Sequence, residues 1–112
     1  MRILGIDHPS TLSVRANLAG IYQSLGRYDE AAALLQQTLA DSQRILGSDH
    51  PSTLSLRANL AGAYQSLGRY EEALALLQQT LADSERILGS DHPSTRTVQA
   101  NLVFVVSHGH ND

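Results

Sequence analysis

The chain has 112 residues, a formal net charge of −3 and no cysteine, which suits one small domain. No basic stretch is present to track phosphates, which argues against a nucleic-acid partner. Without cysteine there can be no disulfide or thiolate metal site, and a reducing cytoplasm is compatible. The longest apolar run, Leu102–Val106, is far shorter than the roughly 20 residues of a membrane helix, so we expect a cytoplasmic protein without a membrane partner.

An internal repeat of 42 residues dominates the sequence, as the spacing of His8, His50 and His92 shows. Residues 8–49 and 50–91 differ at five positions, namely Val14/Leu56, Ile21/Ala63, Asp29/Glu71, Ala32/Leu74 and Gln43/Glu85. A fixed period of this length indicates a solenoid. We therefore divide a single domain, 1–112, into the tail of a preceding helix (1–7), repeat one (8–49), repeat two (50–91) and an incomplete third repeat (92–112) with one helix and a tail.

The first helix of each repeat is predicted to begin at a proline. Pro9 follows Asp7 and His8, and proline is favoured in a first helical turn because its missing N–H is not needed there. Either Asp7 or His8 would cap the helix. Gly26 is expected to end it in the left-handed conformation. The apolar positions at helical spacing are Leu12, Leu18, Ala19, Tyr22 and Leu25.

The second helix is predicted to run from about Tyr28 to Leu46. Acidic residues stand in its first turn and Arg44 in its last, as the helix dipole prefers, and Gly47 and Pro51 close it. Its inner stripe comprises Tyr28, Ala31, Leu35, Thr38, Leu39, Ser42, Ile45 and Leu46. No useful stretch alternates with period two, so no strand is predicted.

The segment "NLAGIYQSLGRYDEAAALLQQTL" resembles the tetratricopeptide repeat (TPR). The matching residues are Leu18, Ala19, Tyr22, Gly26, Tyr28, Ala31 and Leu39. The 42-residue unit, with "ILGSDHPST" between repeats, is similar to the long subtype found in kinesin light chains. The resemblance covers residues 2–102. It implies an all-α, right-handed superhelix of about two and a half units and five helices, acting as a non-catalytic scaffold that binds a protein or peptide.

Three positions carry further packing expectations. Arg15 and Arg57 replace the large apolar residue usual early in the first helix, so we expect each to find a carboxylate at the edge of the neighbouring helix. Repeat one has Ile21 with Ala32, whereas repeat two has Ala63 with Leu74. Because cores tolerate exchanges that keep total volume, we expect Ile21 to pack near Ala32. For the same reason we expect Ala63 to pack near Leu74.

The first helices of such a superhelix line its concave face, and the resemblance places the ligand groove there. The predicted peptide-binding residues share one stripe in each unit: Ser13, Asn17, Gly20 and Ser24; Ser55, Asn59, Gly62 and Ser66; and Thr97 and Asn101. A carboxamide can both donate to and accept from an extended peptide backbone, which favours the asparagines. The alternative is that the asparagines bridge adjacent first helices.

No constellation indicates catalysis, a cofactor or a metal. The serines and histidines recur in repeated structural contexts, whereas a catalytic triad needs unique geometry. The repeated histidines lie a full repeat apart and precede prolines, which favours capping over metal binding. His108 and His110 could chelate a metal weakly, although no supporting partner is evident.

The third repeat breaks its pattern after Leu102. Four apolar residues, Val103, Phe104, Val105 and Val106, replace Ala61, Gly62, Ala63 and Tyr64, and no second helix follows. An exposed patch of this kind would be a liability in a monomer. We therefore predict an oligomer interface at Ile3, Leu4, Val103, Phe104, Val105 and Val106, most simply in a two-fold dimer. The alternative is that the last helix caps repeat two, with Phe104 folded over the groove.

Overall fold

Five helices follow one another along the chain, and the computed structural model describes residues 9–109. They are α1 (Pro9–Ser24), α2 (Tyr28–Ile45), α3 (Pro51–Ser66), α4 (Tyr70–Leu88) and α5 (Pro93–Gly109). Each helix packs on the next, and α3 also contacts α5. This range contains no strand. The predicted all-α solenoid of five helices is thus confirmed.

Histidines cap the first helices where the repeat begins. The Nδ1 atom of His50 accepts a hydrogen bond from the backbone N–H of Ser52 at 3.0 Å, and His92 accepts one from Ser94 at 3.1 Å. Histidine, rather than the aspartate before it, therefore caps α3 and α5. His8 and Asp7 lie outside the described residues. At the other end of α1, Gly26 has a φ of +78°, as predicted for the residue that ends this helix.

The core is a continuous apolar cluster that joins neighbouring helices. Its buried members include Ala19 from α1, Leu35 from α2, Leu60 from α3 and Leu77 from α4. Small alanines among them allow the helices to approach closely. Between α2 and α3, the buried hydroxyls of Ser42 and Thr53 share a hydrogen bond of 2.7 Å, which satisfies two polar groups that burial would otherwise penalise.

The two arginines of the first helices both pair with aspartates, as predicted. Arg15 Nη2 lies 2.7 Å from Asp41 Oδ2 in α2, and Arg57 Nη1 lies 2.7 Å from Asp83 Oδ2 in α4. Arg57 also donates to the carbonyl oxygen of Ser48 at 2.8 Å. The hydrogen bond from Arg57 lowers the pKa of the Asp83 carboxyl, and the bond from Arg15 does the same for Asp41. Each pair therefore ties the two helices of one repeat together.

Several apolar residues of α1 are exposed, for one shared reason. Leu18 and Leu25, two of the apolar positions at helical spacing, are 39% and 64% exposed. Ile21, expected to pack near Ala32, is 56% exposed and lies outside the core cluster that contains Ala32. Their counterparts in α3 are buried or half-buried because α2 precedes α3 and packs against it. The sequence pattern is the same in both helices, but within residues 9–109 no helix precedes α1.

Candidate functional site

The predicted peptide-binding residues lie on the accessible side of the first helices. All are exposed except Gly62 and Asn101, which are half-buried. The hydroxyls of Ser24 and Ser66 donate to the carbonyl oxygens of Gly20 and Gly62 within their own helices, at 3.1 and 3.2 Å. Thr97 likewise donates to its own helix at the carbonyl oxygen of Pro93, at 3.0 Å. These three hydroxyls are therefore engaged locally, while the asparagines are not.

A cleft of about 420 Å³ opens between the two complete repeats. Ser13, Asn17, Ser55 and Asn59 from α1 and α3 line it together. The apolar residues that line it are Leu12, Ala16, Leu46 and Leu56, and the remaining lining residues are Ser42, His50 and Ser52. The cleft therefore combines apolar surface with polar hydrogen-bonding groups, which is the usual make-up of a ligand-binding pocket.

The same cleft recurs, smaller, one repeat further along the chain. It measures about 180 Å³, and each of its lining residues lies 42 positions after a residue of the first cleft: Leu54, Ser55, Ala58, Asn59, Ser84, Ser94, Thr97 and Val98. No residue equivalent to Leu46 or His50 lines it. Ser55 and Asn59 line both clefts, so α3 is the wall between them.

The asparagines present free carboxamides to this surface. Among residues 9–109, the side chains of Asn17, Asn59 and Asn101 make no hydrogen bond to another residue. The alternative in which they bridge adjacent first helices is therefore not observed in this part of the chain. A Cβ atom placed at Gly20 would meet no atom within 4 Å, so internal packing does not require glycine there.

Sequence reasoning missed the contributions of α2 and of the following turn. Ser42, Leu46, His50 and Ser52 line the first cleft although none lies on the predicted stripe. Leu46 and His50 belong to the segment "ILGSDHPST" that distinguishes this 42-residue unit from a shorter one. That extra segment could have indicated these lining residues, because it connects α2 to α3 and therefore lies beside the cleft that α3 lines.

The predicted oligomer interface is exposed only in part. Val103, Phe104 and Val106 are 64%, 46% and 43% exposed, and the Phe104 ring stacks on the His108 ring at 3.9 Å between centroids. The inclusion of Val105 is wrong, because its side chain is 2% exposed and belongs to the core cluster. Val105 takes the position of Ala63, on the side of the helix that faces the preceding repeat. Ile3 and Leu4 lie outside the described residues.

Residues 9–109 include no group of three or more His, Asp or Glu side chains placed to hold a metal ion. Within the same range, no helix is long and apolar enough to cross a membrane.

Comparisons with known proteins agree with the geometry. The family model described as Tetratricopeptide repeat matches residues 1–44, 10–86 and 55–107. A crystal structure from Podosopora anserina, described as a candidate kinesin light chain with nearly identical TPR-like repeats, is 40% identical with a TM-score of 0.82. The aligned region covers 89% of this chain and 47% of the chain in that crystal structure. The crystal structure of its glutamine-to-methionine variant is 36% identical to this chain with a TM-score of 0.82. The aligned region covers 93% of this chain and 48% of the variant's chain.

This chain thus spans about half the length of those structures. No curated protein matches it.

Proposed function

Because the chain belongs to the tetratricopeptide repeat family, whose repeats generally mediate protein–protein interaction, we propose that it binds an extended peptide segment along its concave face. The observation that carries the proposal is a pair of equivalent clefts. The first is lined by Ser13, Asn17, Ser55 and Asn59, and the second by Ser55, Asn59 and Thr97. The chain would act as a single non-catalytic domain without a cofactor, as a scaffold in the cytoplasm.

The clefts suggest how such a peptide would be held. The carboxamides of Asn17 and Asn59 have no partner within the described chain, and each can pair with both the N–H and the C=O of one peptide residue. The apolar wall formed by Leu12, Leu46 and Leu56 would receive an apolar side chain of that peptide. Since the second cleft is smaller, it would accept a smaller side chain. A helical scaffold that is already ordered would lose little entropy on binding.

The test begins with a ligand selected from a displayed library of random linear peptides. The affinity of the selected peptide is then measured for the wild-type chain and for Asn17→Ala with Asn59→Ala. Each lost hydrogen bond is worth about 1 kcal/mol, or roughly fivefold in Kd, so the double variant, which loses two per asparagine, should bind roughly 600-fold more weakly. The control variant changes Gln37 and Gln79, exposed residues on the second helices, to alanine. Equal binding by all three proteins would refute the proposal.

Self-association is the second candidate function. The exposed side chains of Val103, Phe104 and Val106 favour it, because they form an apolar patch at one end of the array. In this case the mass in solution, measured by light scattering across a wide concentration range, should be at least that of a dimer. Val103→Ser with Val106→Ser should return it to the monomer mass of 12.1 kDa. A monomer mass for the unmodified chain at every concentration would exclude this function.

A further inference from the structure

The two clefts differ in one pair of buried hydroxyls at their walls. Ser42 lines the first cleft, and its hydroxyl shares a hydrogen bond of 2.7 Å with the hydroxyl of Thr53 in the next helix. The residues 42 positions later are Ser84, which lines the second cleft, and Thr95. Both are 0% exposed, and neither hydroxyl has a hydrogen-bond partner within residues 9–109. The same pair of residues is therefore hydrogen-bonded at one junction and not at the other.

The unpartnered hydroxyl of Ser84 indicates that the second cleft receives a polar group. A buried hydroxyl without a hydrogen bond is costly, and the large majority of buried polar side chains in proteins have a partner. Ser84 is the member of its pair that lines a cleft, so a bound molecule can supply that partner. Serine moves between staggered rotamers, which lets a group in the cleft draw the hydroxyl towards itself. The hydroxyl can then donate or accept a hydrogen bond.

The other lining residues restrict the size and the charge of that group. The second cleft measures about 180 Å³, compared with about 420 Å³ for the first. Its lining residues are all uncharged: Leu54, Ser55, Ala58, Asn59, Ser84, Ser94, Thr97 and Val98. A charged side chain would be buried there without an opposite charge, which is unfavourable, and a large apolar one would leave Ser84 unpaired. A small side chain that carries a hydroxyl satisfies both restrictions.

We propose that the second cleft is a subsite for a serine or threonine side chain of the bound peptide, whose hydroxyl pairs with that of Ser84. The inference rests on the proposed peptide binding and adds a chemical selectivity that the size of the cleft alone does not give. The methyl group of a bound threonine would contact the apolar part of the wall, formed by Leu54 and Val98. The first cleft lacks this selectivity, because Ser42 is already paired with Thr53.

The test selects peptides from a displayed library of random linear sequences on three proteins: the unmodified chain, Ser84→Ala and Ser42→Ala, the matched change in the first cleft. On the unmodified chain, one peptide position should be enriched in serine and threonine over alanine and valine by about fivefold, the factor expected for one hydrogen bond. The preference should vanish with Ser84→Ala and persist with Ser42→Ala. Circular dichroism checks that all three proteins fold.

A matched pair of peptides gives the same comparison as an affinity. A sequence selected on the unmodified chain is synthesised with threonine and with valine at the enriched position, because these side chains have nearly the same shape. The valine peptide should bind the unmodified chain about fivefold more weakly than the threonine peptide. Both peptides should bind Ser84→Ala equally well.

A measurement without peptide tests the unpartnered hydroxyl itself. Ser42→Ala breaks a buried hydrogen bond and should lower the urea midpoint of unfolding. Ser84→Ala removes a hydroxyl without a partner in the described chain, so the midpoint should stay the same or rise. An equal loss in the two variants would overturn the proposal, because solvent or the helix backbone would then already hold the Ser84 hydroxyl.

The selection separates failure of this inference from failure of the proposed function. Peptides that are enriched without a preference for serine and threonine, or with a preference that survives Ser84→Ala, would overturn the inference and leave the proposed function in place. If no peptide is enriched on any of the three proteins, the proposed function is refuted, and the inference that rests on it is refuted as well.

Discussion

The helices α3 and α5 have equivalent positions in successive repeats but different surroundings. On the side facing the preceding second helix, both are apolar and buried: Leu56 and Ala63 in α3 are 5% and 0% exposed, and Val98 and Val105 in α5 are both 2% exposed. The residues differ in size, but their character is kept. The preceding helix is present in both cases, as α2 or as α4, and it imposes the same requirement.

On the opposite side, the two helices diverge. In α3, Leu54 and Arg57 are buried, and Arg57 pairs with Asp83 of the second helix in its own repeat. In α5, the same positions hold Arg96, which is exposed, and Gln99, which is half-buried. No second helix follows α5 in residues 9–109. Each side of a first helix is therefore adapted to one specific neighbouring helix, so the residues on the two sides can be altered independently.

The largest effect is expected from a charge placed on the side of α5 that faces the preceding second helix, α4. Val105→Asp would bury an unpaired carboxylate and should destabilise the packing of α5 by at least about 3 kcal/mol. Amide hydrogen exchange in α5 should then accelerate by more than 100-fold, as read by mass spectrometry. Val103→Asp is the matched control and should change little, because that side chain is 64% exposed. Similar acceleration in both variants would contradict the division into two sides.

A smaller loss of stability is expected when a residue on the other side of α3, which faces α4, is replaced by its counterpart in α5. Arg57→Gln removes the ion pair with Asp83 and the hydrogen bond to the carbonyl oxygen of Ser48. This change should lower the free energy of unfolding, measured by urea denaturation, by about 2 kcal/mol. The matched change Gln99→Ala should cost less than about 0.5 kcal/mol. The interpretation fails if Gln99 proves as costly to replace as Arg57.

Acid should weaken the same pair. Because the arginine lowers the pKa of Asp83 below its ordinary value of 3.8 in the folded chain, the pair stabilises the fold fully above that pH. Its contribution is lost as the pH falls through the lowered pKa. The fold should therefore lose stability below about pH 4, and Arg57→Gln should reduce the slope of that loss. Urea midpoints between pH 2 and pH 6 measure it, and an unchanged slope in the variant would contradict this account.

The smallest effect is expected from the reverse exchange at the exposed position. Arg96→Leu gives α5 the residue that is 2% exposed as Leu54 in α3, yet it should change the free energy of unfolding by less than about 0.5 kcal/mol. The reason is that, within residues 9–109, no second helix covers this position of α5. Leu54→Arg, the mirror change, should cost several times as much, because it buries a charge. A clear gain in stability from Arg96→Leu would mean that a neighbour covers α5 in solution.

Much of the fold was predictable because its signals are local. Pro9, Gly26 and the 42-residue period located the helices, and the positions of Arg15 and Arg57 predicted ion pairs that the structure confirms. The errors concern residues whose environment depends on another element. Val105 was assigned to an exposed interface, although its side chain is 2% exposed, since the pattern of a repeat does not state which neighbours are present.

The candidate site was predictable only along one helix face. The stripe containing Asn17 and Asn59 follows from helical spacing, and both residues line a cleft. The contributions of Leu46 and His50 to the cleft could not be predicted from that spacing, because the cleft forms where α1, α2 and α3 meet. A periodicity within one helix carries no information about such a junction.

The sequential packing of the helices has a consequence for how the chain folds and unfolds. Since each helix packs mainly on the next one along the chain, the interactions are short in sequence, and helical arrays of this kind fold rapidly. Stability in such an array is close to a sum over neighbouring interfaces. The end helices, α1 and α5, will therefore unfold first, and the middle helix, α3, will unfold last. Probes placed along the chain will report a graded series of unfolding midpoints.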